Sequence, residues 1–370
     1  MSLIKLNNEQ KMIRDEFRKF AVSVIEPVAE DIEKKGIFPP AIVNKLAELG
    51  LLGLIIPEQF GGVELDLTSL CIAVEEISKV CASIGTVLVV NNCLVAYPIM
   101  KYGTETFQEK YLNKLAEDEI GGFVCEPEID LPEEQNDLKT EGDKIIFTGK
   151  REFVLNGAAA DFFIMPVSTP ENTKYYILEK SINGIRLSPK NILGLRAAGF
   201  AGIEFKDVEL LDEACFIPDD KAGKIQSEIH DFANIGFAAV SLGIAQAALE
   251  TAIKYSKERV QFDHQIGEYP AIREMLAEMK MKIEAARLLI YDAASRFDNG
   301  ESFAQQSKIA RFTAAETGFF CGLNAIQVHG GYGFMKDYPL ERYFRDAKVL
   351  QLLETSPIMT KSQIAKEILK

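Results

Sequence analysis

Residues 270–297 read PAIREMLAEMKMKIEAARLLIYDAASRF. Apolar side chains return there every three or four positions and charged side chains occupy the opposite face, which is the pattern of an amphipathic helix. The repeating apolar positions are Leu276, Met279, Ile283, Ala286 and Ile290. Long helical patterns also cover residues 232–257, 303–328 and 340–353. Four such helices in succession predict a four-helix bundle in the last third of the chain.

The middle third consists of short runs rich in Ile, Phe, Tyr and Val. They cover residues 144–147, 160–167, 174–178 and 202–208. The alternation in Ile203-Glu204-Phe205-Lys206 is typical of a half-buried strand. Turn residues separate the runs, and no helical stretch of about 10 to 15 residues stands between them. The pattern therefore favours an antiparallel sheet or barrel over a parallel βαβ arrangement.

The first third is helical again. Asn8 is the expected cap of the first helix, and Pro40 is the expected start of a later one. Further helical patterns cover residues 67–80 and 107–115.

Together these patterns predict an α+β protein. Its 370 residues exceed what one compact core usually holds, so more than one domain is expected. The expected domains are an all-α domain at residues 1–120, a middle antiparallel β domain at 121–228 and a C-terminal four-helix bundle at 229–370.

The composition excludes several classes of protein. The net charge is −14 and no basic run occurs, which argues against a nucleic-acid partner. No apolar run reaches the roughly 18 to 20 residues that a membrane helix needs, and the N-terminal segment is polar and amphipathic. The six cysteines form no CxxC pair and the three histidines show no helical spacing, so no metal site is expected. The sequence predicts a cytoplasmic protein without membrane insertion.

A glycine turn follows the third helix of the predicted bundle, in Gln327-Val328-His329-Gly330-Gly331-Tyr332-Gly333. Glycine lets a ligand approach the backbone closely, and exposed N–H groups can bind phosphate. The alternative is a glycine helix stop, which needs no ligand.

Two charged residues are candidates for chemistry. Glu354 follows an apolar run at the C-terminal end of a helix, where the macrodipole and the apolar setting both raise a carboxyl pKa and suit a general base. Arg259 stands two residues from Gln261 and three from Phe262, so it could bind a phosphate while the phenyl ring stacks on a ligand. The alternatives are a solvated surface Glu and a solvated turn with a buried Phe.

These segments, with several others in order, resemble the acyl-CoA dehydrogenase family nearly end to end. The matching segments are Pro57–Gly62, Glu126-Pro127, Asn156-Gly157, Gly194-Leu195-Arg196-Ala197, Phe205-x-Asp207-Val208, Arg259-x-Gln261-Phe262, Gln327-x-His329-Gly330-Gly331-x-Gly333, Tyr338-Pro339-x-Glu341-Arg342 and Arg345-Asp346-Ala347.

The resemblance implies an FAD-dependent enzyme that dehydrogenates an acyl-CoA thioester between its α and β carbons. Glu354 would take the α proton, flavin N5 would take the β hydride, and an electron-transferring flavoprotein would receive the electrons. The family is usually a homotetramer with FAD sites shared between subunits. The implied cofactor-binding residues are Arg259, Gln261, Phe262, Gln327, Gly330, Gly331, Cys125, Phe153, Leu155 and Ser356, and the implied substrate-binding residues are Asp231, Asn234 and Thr355.

The sequence departs from the family pattern around the flavin and the substrate carrier. The family's T-E-P-G-A-G-S-D becomes Cys125-Glu126-Pro127-Glu128-Ile129-Asp130, and its flavin-facing Trp and Thr become Phe153 and Leu155. Thr355 replaces the glycine after the base, and Asn234 replaces an Arg near the CoA end of the site.

Three alternatives therefore stay open. The substrate could be an acyl-carrier-protein thioester, or the enzyme could run in reverse as an enoyl-thioester reductase. A non-enzymatic helical scaffold or a DNA-associated relative of the family is the third alternative.

Overall fold

The computed structural model describes residues 6–125, 137–141, 144–168, 173–217, 222–353 and 355–369. Residues 126–130 and Glu354, the expected catalytic base, lie outside the described residues. Helices occupy the described chain before Gly121 and strands occupy most of it up to Ile217. Helices then return from Ala222 onward, so the expected boundary at 228/229 falls inside a helix.

The N-terminal part is helical, as its periodicity predicts. Its helices are α1 (Asn8–Phe20), α2 (Glu26–Lys35), α3 (Pro40–Glu48), α4 (Leu67–Val80), α5 (Ala82–Val89), α6 (Tyr97–Tyr102) and α7 (Glu105–Glu117), with π-helical turns at Ala21–Ile25 and Val90–Ala96. The expectation that Asn8 caps α1 is wrong by one residue. The Asn7 side chain accepts a bond from the Gln10 backbone N–H at 2.8 Å, and the Gln10 side chain accepts one from Asn7 at 3.1 Å. This reciprocal capping box requires a Gln or Glu three residues after the cap, and Asn7 has one.

The middle part is one eight-stranded sheet. Its strands are β1 (Gly121–Val124), β2 (Asp137–Glu141), β3 (Lys144–Leu155), β4 (Phe162–Ser168), β5 (Thr173–Glu179), β6 (Ile185–Pro189), β7 (Ala201–Leu210) and β8 (Cys215–Ile217). They lie in the order β6-β7-β3-β1-β4-β5-β8, with β2 beside β3.

The sheet is mixed, so the expectation of a wholly antiparallel domain is wrong for one pair. β1 pairs with β3 antiparallel and with β4 parallel. The turn after β3 carries the chain past β1, and β4 then runs opposite to β3. Because β1 lies between these two strands and opposes β3, it must run parallel to β4. Gly121 begins β1 against Val95, where a Cβ atom would lie 2.3 Å from Val95 Cγ1.

The C-terminal part contains the long helices that the periodicity predicts. They are α8 (Ala222–Glu258), α9 (Pro270–Asp298), α10 (Ala304–His329) and α11 (Leu340–Leu350), followed by α12 (Pro357–Ile368), which the sequence analysis did not predict. A short hairpin of β9 (Val260–Gln261) and β10 (His264–Gln265) joins α8 to α9, and a 3₁₀ turn at Gly330–Phe334 follows α10.

One continuous apolar core joins the N-terminal helices, one face of the sheet and the bundle, and a smaller core covers the other face of the sheet. Two stretches, Ala82–Tyr102 and Lys224–Glu258, are long and apolar enough to cross a membrane by composition. Their most apolar windows are 94% buried within the fold. Within the described structure, neighbouring elements cover the apolar surface of both stretches.

Candidate cofactor and substrate site

An open cavity of about 550 Å³ lies where α8 and α10 end. Five residues expected to bind the cofactor line it together: Arg259, Gln261, Gln327, Gly330 and Gly331. They come from two helix ends and the hairpin, so the structure gathers in one place segments that the sequence separates by more than sixty residues. A cavity of this size can hold part of a cofactor.

Arg259 contributes the positive charge of this cavity. Its backbone N–H bonds to the Tyr255 carbonyl at 2.9 Å, which continues α8 by one residue. Its guanidinium lies 5.4 Å from the centroid of the Tyr332 ring. No carboxylate of the described residues forms an ion pair with it, so its charge is not neutralised within that part of the chain. A guanidinium in this state is suited to bind a phosphate.

The hairpin after Arg259 holds Phe262 away from the protein. Phe262 and Asp263 both have positive φ values, 50° and 64°, as the two-residue turn between β9 and β10 requires. The Phe262 side chain is 88% exposed, which contradicts the alternative of a turn with a buried Phe. Non-glycine residues adopt this conformation at a cost of roughly 1 kcal/mol each. An aromatic ring presented to solvent in this way is available to a ligand or a second subunit.

The glycine turn after α10 leaves open space at the backbone. Gly330 has φ 58° and ψ −131°, a conformation that side chains disfavour. A Cβ atom at Gly330 or Gly331 would meet no chain atom within 4 Å. The need for Gly330 is therefore conformational, and at both positions the missing side chain leaves room that a ligand can fill. This arrangement fits a phosphate-containing cofactor.

His329 is a wall residue of the same cavity that the sequence analysis did not single out. It is 3% exposed, and its ring stacks on Tyr255 with 4.0 Å between centroids. Nδ1 lies 2.8 Å from the Ala325 carbonyl oxygen. Burial lowers the pKa of His329 from its ordinary value. Only the glycine motif that contains it pointed toward this residue.

The expected flavin-facing residues lie on the sheet and do not line the cavity at Arg259. The Cys125 N–H bonds to the Phe153 carbonyl at 3.1 Å, which joins the end of β1 to β3. The Phe153 side chain is 51% exposed and available to a ligand. Leu155 is fully buried in the main core, so its side chain has no surface to offer a cofactor.

Asp231 and Asn234 stand one turn apart on α8, near the expected carrier end of the substrate site. Lys308, on α10, places Nζ 2.7 Å from Asp231 Oδ1 and 3.1 Å from Glu367 Oε1. Ser307 Oγ also donates to Asp231 Oδ1 at 3.1 Å. Burial raises the pKa of Asp231, and the bond and charge of Lys308 oppose that rise. Sequence reasoning missed Lys308 because no motif surrounds it.

The chain on either side of Glu354 is anchored. Arg311 Nη2 donates to the carbonyls of Leu350 at 2.6 Å and Leu353 at 3.4 Å. Ser356 caps α12 by accepting a bond from the Met359 N–H at 3.3 Å, and the buried Thr355 Oγ1 has no partner among the described residues. The hydroxyl of Ser356 thus caps its own helix.

Comparison with known proteins identifies the family. The acyl-CoA dehydrogenase N-terminal domain matches residues 7–119, and the acyl-CoA dehydrogenase C-terminal domain matches residues 226–369. The short-chain specific acyl-CoA dehydrogenase of Clostridium acetobutylicum is 34% identical over 99% of both chains. The chain belongs to the acyl-CoA dehydrogenase family, and it is an FAD-dependent oxidoreductase that dehydrogenates acyl-CoA thioesters.

Solved structures agree with this assignment. Butyryl-CoA dehydrogenase from Megasphaera elsdenii superimposes with a TM-score of 0.93 at 30% identity, covering 99% of this chain and 100% of that one. A chain in the structure of the electron transferring flavoprotein of Acidaminococcus fermentans gives a TM-score of 0.94 at 35% identity and covers all of both chains.

Proposed function

We propose that this enzyme dehydrogenates a short-chain acyl-CoA with Glu354 as its base and passes the electrons to an electron-transferring flavoprotein. The observation that carries the proposal is the cavity at the ends of α8 and α10, whose residues fit a nucleotide cofactor. The Clostridium acetobutylicum and Megasphaera elsdenii relatives are named for short acyl chains, which supports that substrate class. The Acidaminococcus fermentans structure supports the electron acceptor.

The role of Glu354 is supported by its place in the sequence and by its neighbours. It lies nine positions after Arg345 and directly follows Leu353, which is buried. Arg311 holds the carbonyls of the preceding residues, so the chain entering this position is fixed. The sequence places Glu354 after the C-terminal end of a helix, where the macrodipole would raise the pKa of a carboxyl group and make it a better base. Glu354 would take the α proton of the thioester.

FAD, when bound, supplies the hydride acceptor at flavin N5. Arg259 would bind its pyrophosphate by charge, and Gln327, Gly330 and Gly331 would contact the same region through the open turn. Gln261 donates one amide N–H to the Val260 carbonyl at 2.8 Å, so its second N–H and its side-chain oxygen are left for the cofactor. Cys125, Phe153, Leu155 and Ser356 are the remaining candidates, with Leu155 limited to its backbone.

We infer that the enzyme is a cytoplasmic homotetramer. The ring of Phe262 extends from the body of the subunit and is 88% exposed in the described structure. An FAD held partly by a neighbouring subunit would cover this ring. This arrangement would make FAD binding and assembly mutually dependent.

The carrier is most simply coenzyme A. Asn234 lacks the fixed charge of Arg, and the nearby Lys308 is already paired with Asp231 and Glu367. Asp231, Asn234 and Thr355 would then contact the thioester mainly by hydrogen bonds. The carrier-protein and reductase alternatives have less support, because the relatives compared above are named for CoA thioesters and for dehydrogenation.

The test is anaerobic mixing of the purified enzyme with butyryl-CoA while the flavin absorbance is recorded. We expect rapid bleaching, followed by recovery of the oxidised flavin when an electron-transferring flavoprotein is added. The same acyl group on coenzyme A and on acyl carrier protein separates the two carriers by their kcat/KM values. The proposed direction is dehydrogenation. It would be overturned if no saturated thioester bleached the flavin while an enoyl thioester oxidised the reduced flavin.

A further inference from the structure

Three parts of the fold meet at a buried junction that does not line the cofactor cavity. The loop of residues 190–200, between β6 and β7, is bonded there to side chains of α5 and α11. The Leu195 N–H donates to Asp346 Oδ1 at 2.7 Å, and the Ala197 N–H donates to Ser83 Oγ at 3.3 Å. Ser83 Oγ in turn donates to Glu33 Oε1 on α2. The carboxyl groups of Glu33 and Asp346 are therefore both tied to one short loop.

The loop is packed closely against α11. A Cβ atom at Gly194 would lie 2.5 Å from the backbone carbonyl carbon of Arg345, so only glycine fits there. Leu195 has φ 51°, a left-handed conformation that side chains disfavour. The bond from its N–H to Asp346 helps to hold this conformation. A change in the charge of Asp346 would therefore act directly on the loop.

Both carboxyl groups are buried without a cationic partner. Glu33 is 4% exposed and Asp346 is 2% exposed. Within the described part of the chain they accept bonds from a hydroxyl, a thiol and a backbone N–H, and no Lys or Arg side chain forms an ion pair with either. An ionised carboxylate is very costly to bury without a paired cation, and two of them close together also repel each other. The junction therefore favours a state with at most one negative charge.

A single buried oxygen of Glu33 indicates how this state is reached. Glu33 Oε2 is buried and has no hydrogen-bond partner among the described residues. As a bare acceptor, this oxygen would lose the hydrogen bonds that water provides in the unfolded chain. With a proton it becomes a donor, and the Asp346 carboxylate can accept its hydrogen bond. One proton would thus remove the repulsion and satisfy the buried oxygen, with no ligand needed.

The charges around Asp346 act in both directions. Burial and the negative charge of Glu33 raise the pKa of Asp346 to about 7. The bond from the loop N–H and the charges of Arg342 and Arg345 oppose this rise. Both arginines bond elsewhere, because Arg342 Nη2 donates to the Val80 carbonyl at 3.2 Å and Arg345 Nη1 donates to the Leu193 carbonyl at 2.8 Å. The two guanidinium groups therefore compensate only part of the negative charge at the junction.

The remaining titratable and charged groups at the junction keep their charge state near neutral pH. Burial raises the pKa of Cys81 to about 12, so this thiol stays neutral. Arg196 of the loop carries a guanidinium, which does not titrate in this range. Glu341 is held ionised by Arg345, whose bond lowers its pKa, and Glu30 is paired with Lys34 at the surface. The pair of Glu33 and Asp346 is therefore the group that can change charge here.

We infer that Glu33 and Asp346 share one proton at neutral pH and that this acid pair is a pH-sensitive clasp joining α2, the β6–β7 loop and α11. While the proton is present, both carboxyl groups are satisfied and the loop is held closed. When the proton leaves, two buried negative charges face each other and the loop opens more often. The clasp is independent of the proposed reaction, because neither residue lines the cofactor cavity.

The sign of the pH dependence follows from the number of protons bound. In an open or unfolded junction, both carboxyl groups lose their protons near about pH 4. The closed junction retains one proton up to about pH 7. Between these values the closed state binds one proton more than the open state, so its stability falls as the pH rises. The opening constant should rise by up to about tenfold for each pH unit in this window and level off above it.

Glu33→Gln tests the inference, because the amide reproduces a protonated acid. Its carbonyl oxygen can accept from Ser83, and its N–H can donate to Asp346. It has no proton to lose in this range, so its loop should stay closed at alkaline pH. The matched control is Glu30→Gln, at an exposed glutamate of the same helix that pairs with Lys34 at 2.6 Å. This control should retain the wild-type pH dependence.

The measurement is hydrogen–deuterium exchange of the peptide that contains Leu195 and Ala197, in the FAD-loaded holoenzyme, between about pH 5.5 and 8.5. Rates are corrected for the chemical exchange of a free peptide. The wild-type opening constant should rise toward pH 7, and at pH 8 that of Glu33→Gln should be about tenfold or more lower. A wild-type opening constant that does not depend on pH, or the same pH dependence in Glu33→Gln, would overturn the inference.

Infrared difference spectra keep the inference testable if Glu33→Gln does not assemble. At about pH 6 the wild type should show the C=O band of a protonated carboxylic acid. This band should decrease in Asp346→Asn, whose amide can still accept from Leu195 and donate to Glu33. An unchanged band would show that the pair holds no proton. Failure of both variants to assemble would also overturn the inference, because either amide is expected to replace the shared acid.

Discussion

Replacing Lys308 with Met should destabilise the fold strongly, because it leaves a buried carboxylate without its cation. The Lys308 and Asp231 side chains are only 8% and 4% exposed, and Nζ lies 2.7 Å from Oδ1. Met preserves the length of the side chain and much of its apolar packing. Among the described residues, Asp231 would keep two hydroxyl partners, Ser307 at 3.1 Å and Ser227 at 3.4 Å.

Removing one partner of a buried ion pair costs about 3 to 5 kcal/mol. The upper part of that range applies here, since both side chains are almost fully buried. Glu367, whose side chain is 26% exposed, loses less because water can solvate it. We expect equilibrium urea unfolding at pH 8, with FAD saturating, to show a loss of about 4 kcal/mol.

The loss should shrink in acid. Burial already raises the pKa of Asp231 in the wild type, and without Lys308 it must rise further. Between the unfolded and folded pKa values, the folded state holds a proton that the unfolded state releases, so stability increases as the pH falls. The gain is up to about 1.4 kcal/mol for each pH unit in that window.

The double variant Lys308→Met/Asp231→Asn is the control, because it removes both charges and should recover much of the loss. A loss below about 1 kcal/mol at pH 8, or one that is the same at pH 5.5, would refute the reasoning. It would mean that water or relaxation solvates Asp231 in spite of its burial.

Three further predictions concern the cofactor and the substrate. Glu354→Gln should retain FAD and thermal stability. In stopped-flow mixing with a cognate thioester, its flavin should bleach at least about a hundredfold more slowly than in the wild type, and an unchanged rate would place the base elsewhere. Gly330→Ala should lower the FAD-to-protein ratio on purification, because alanine is strained at φ 58° and ψ −131° and its methyl group would enter the cavity. A wild-type ratio would show that FAD binding does not need the glycine turn. Asn234→Arg should lower the dissociation constant for a CoA thioester, measured by titration of the flavin spectrum, and no change together with tight wild-type binding would assign the carrier contact to another residue.

Hydrophobic periodicity correctly predicts helices that have one apolar face and one polar face. It predicts α4 at residues 67–80 with both ends correct, and it places the start of α9 at Pro270. It does not detect the helices between Ala82 and Tyr102, because that stretch is buried all round and lacks the polar face that makes a helix periodic. Strand β1 was also missed, since its Gly-Gly start has no strand propensity and depends on close packing against Val95.

The cofactor cavity was predictable in its parts. Arg259 and the Gly330-Gly331 turn are recognisable in sequence because a phosphate site needs a cation and bare backbone, and these are properties of residue types. The sequence did not indicate which other residues complete the cavity. His329 was visible in the sequence only as a member of the glycine motif, and nothing in the local pattern distinguishes Lys308 from an ordinary helix residue.

The sequence by itself therefore predicts features that depend on periodicity, on single residues or on short motifs. These are the helical bundle, the glycine turn, the cation before the hairpin and the family to which the chain belongs. The tertiary structure alone decided the parallel pairing of β1 with β4, the pairing of Lys308 with Asp231, and the burial that leaves Nε2 of His329 without a partner. Each of these depends on the distance between atoms far apart along the chain. Local propensity carries no information about such distances, because they are set by how the helices and the sheet pack into one core.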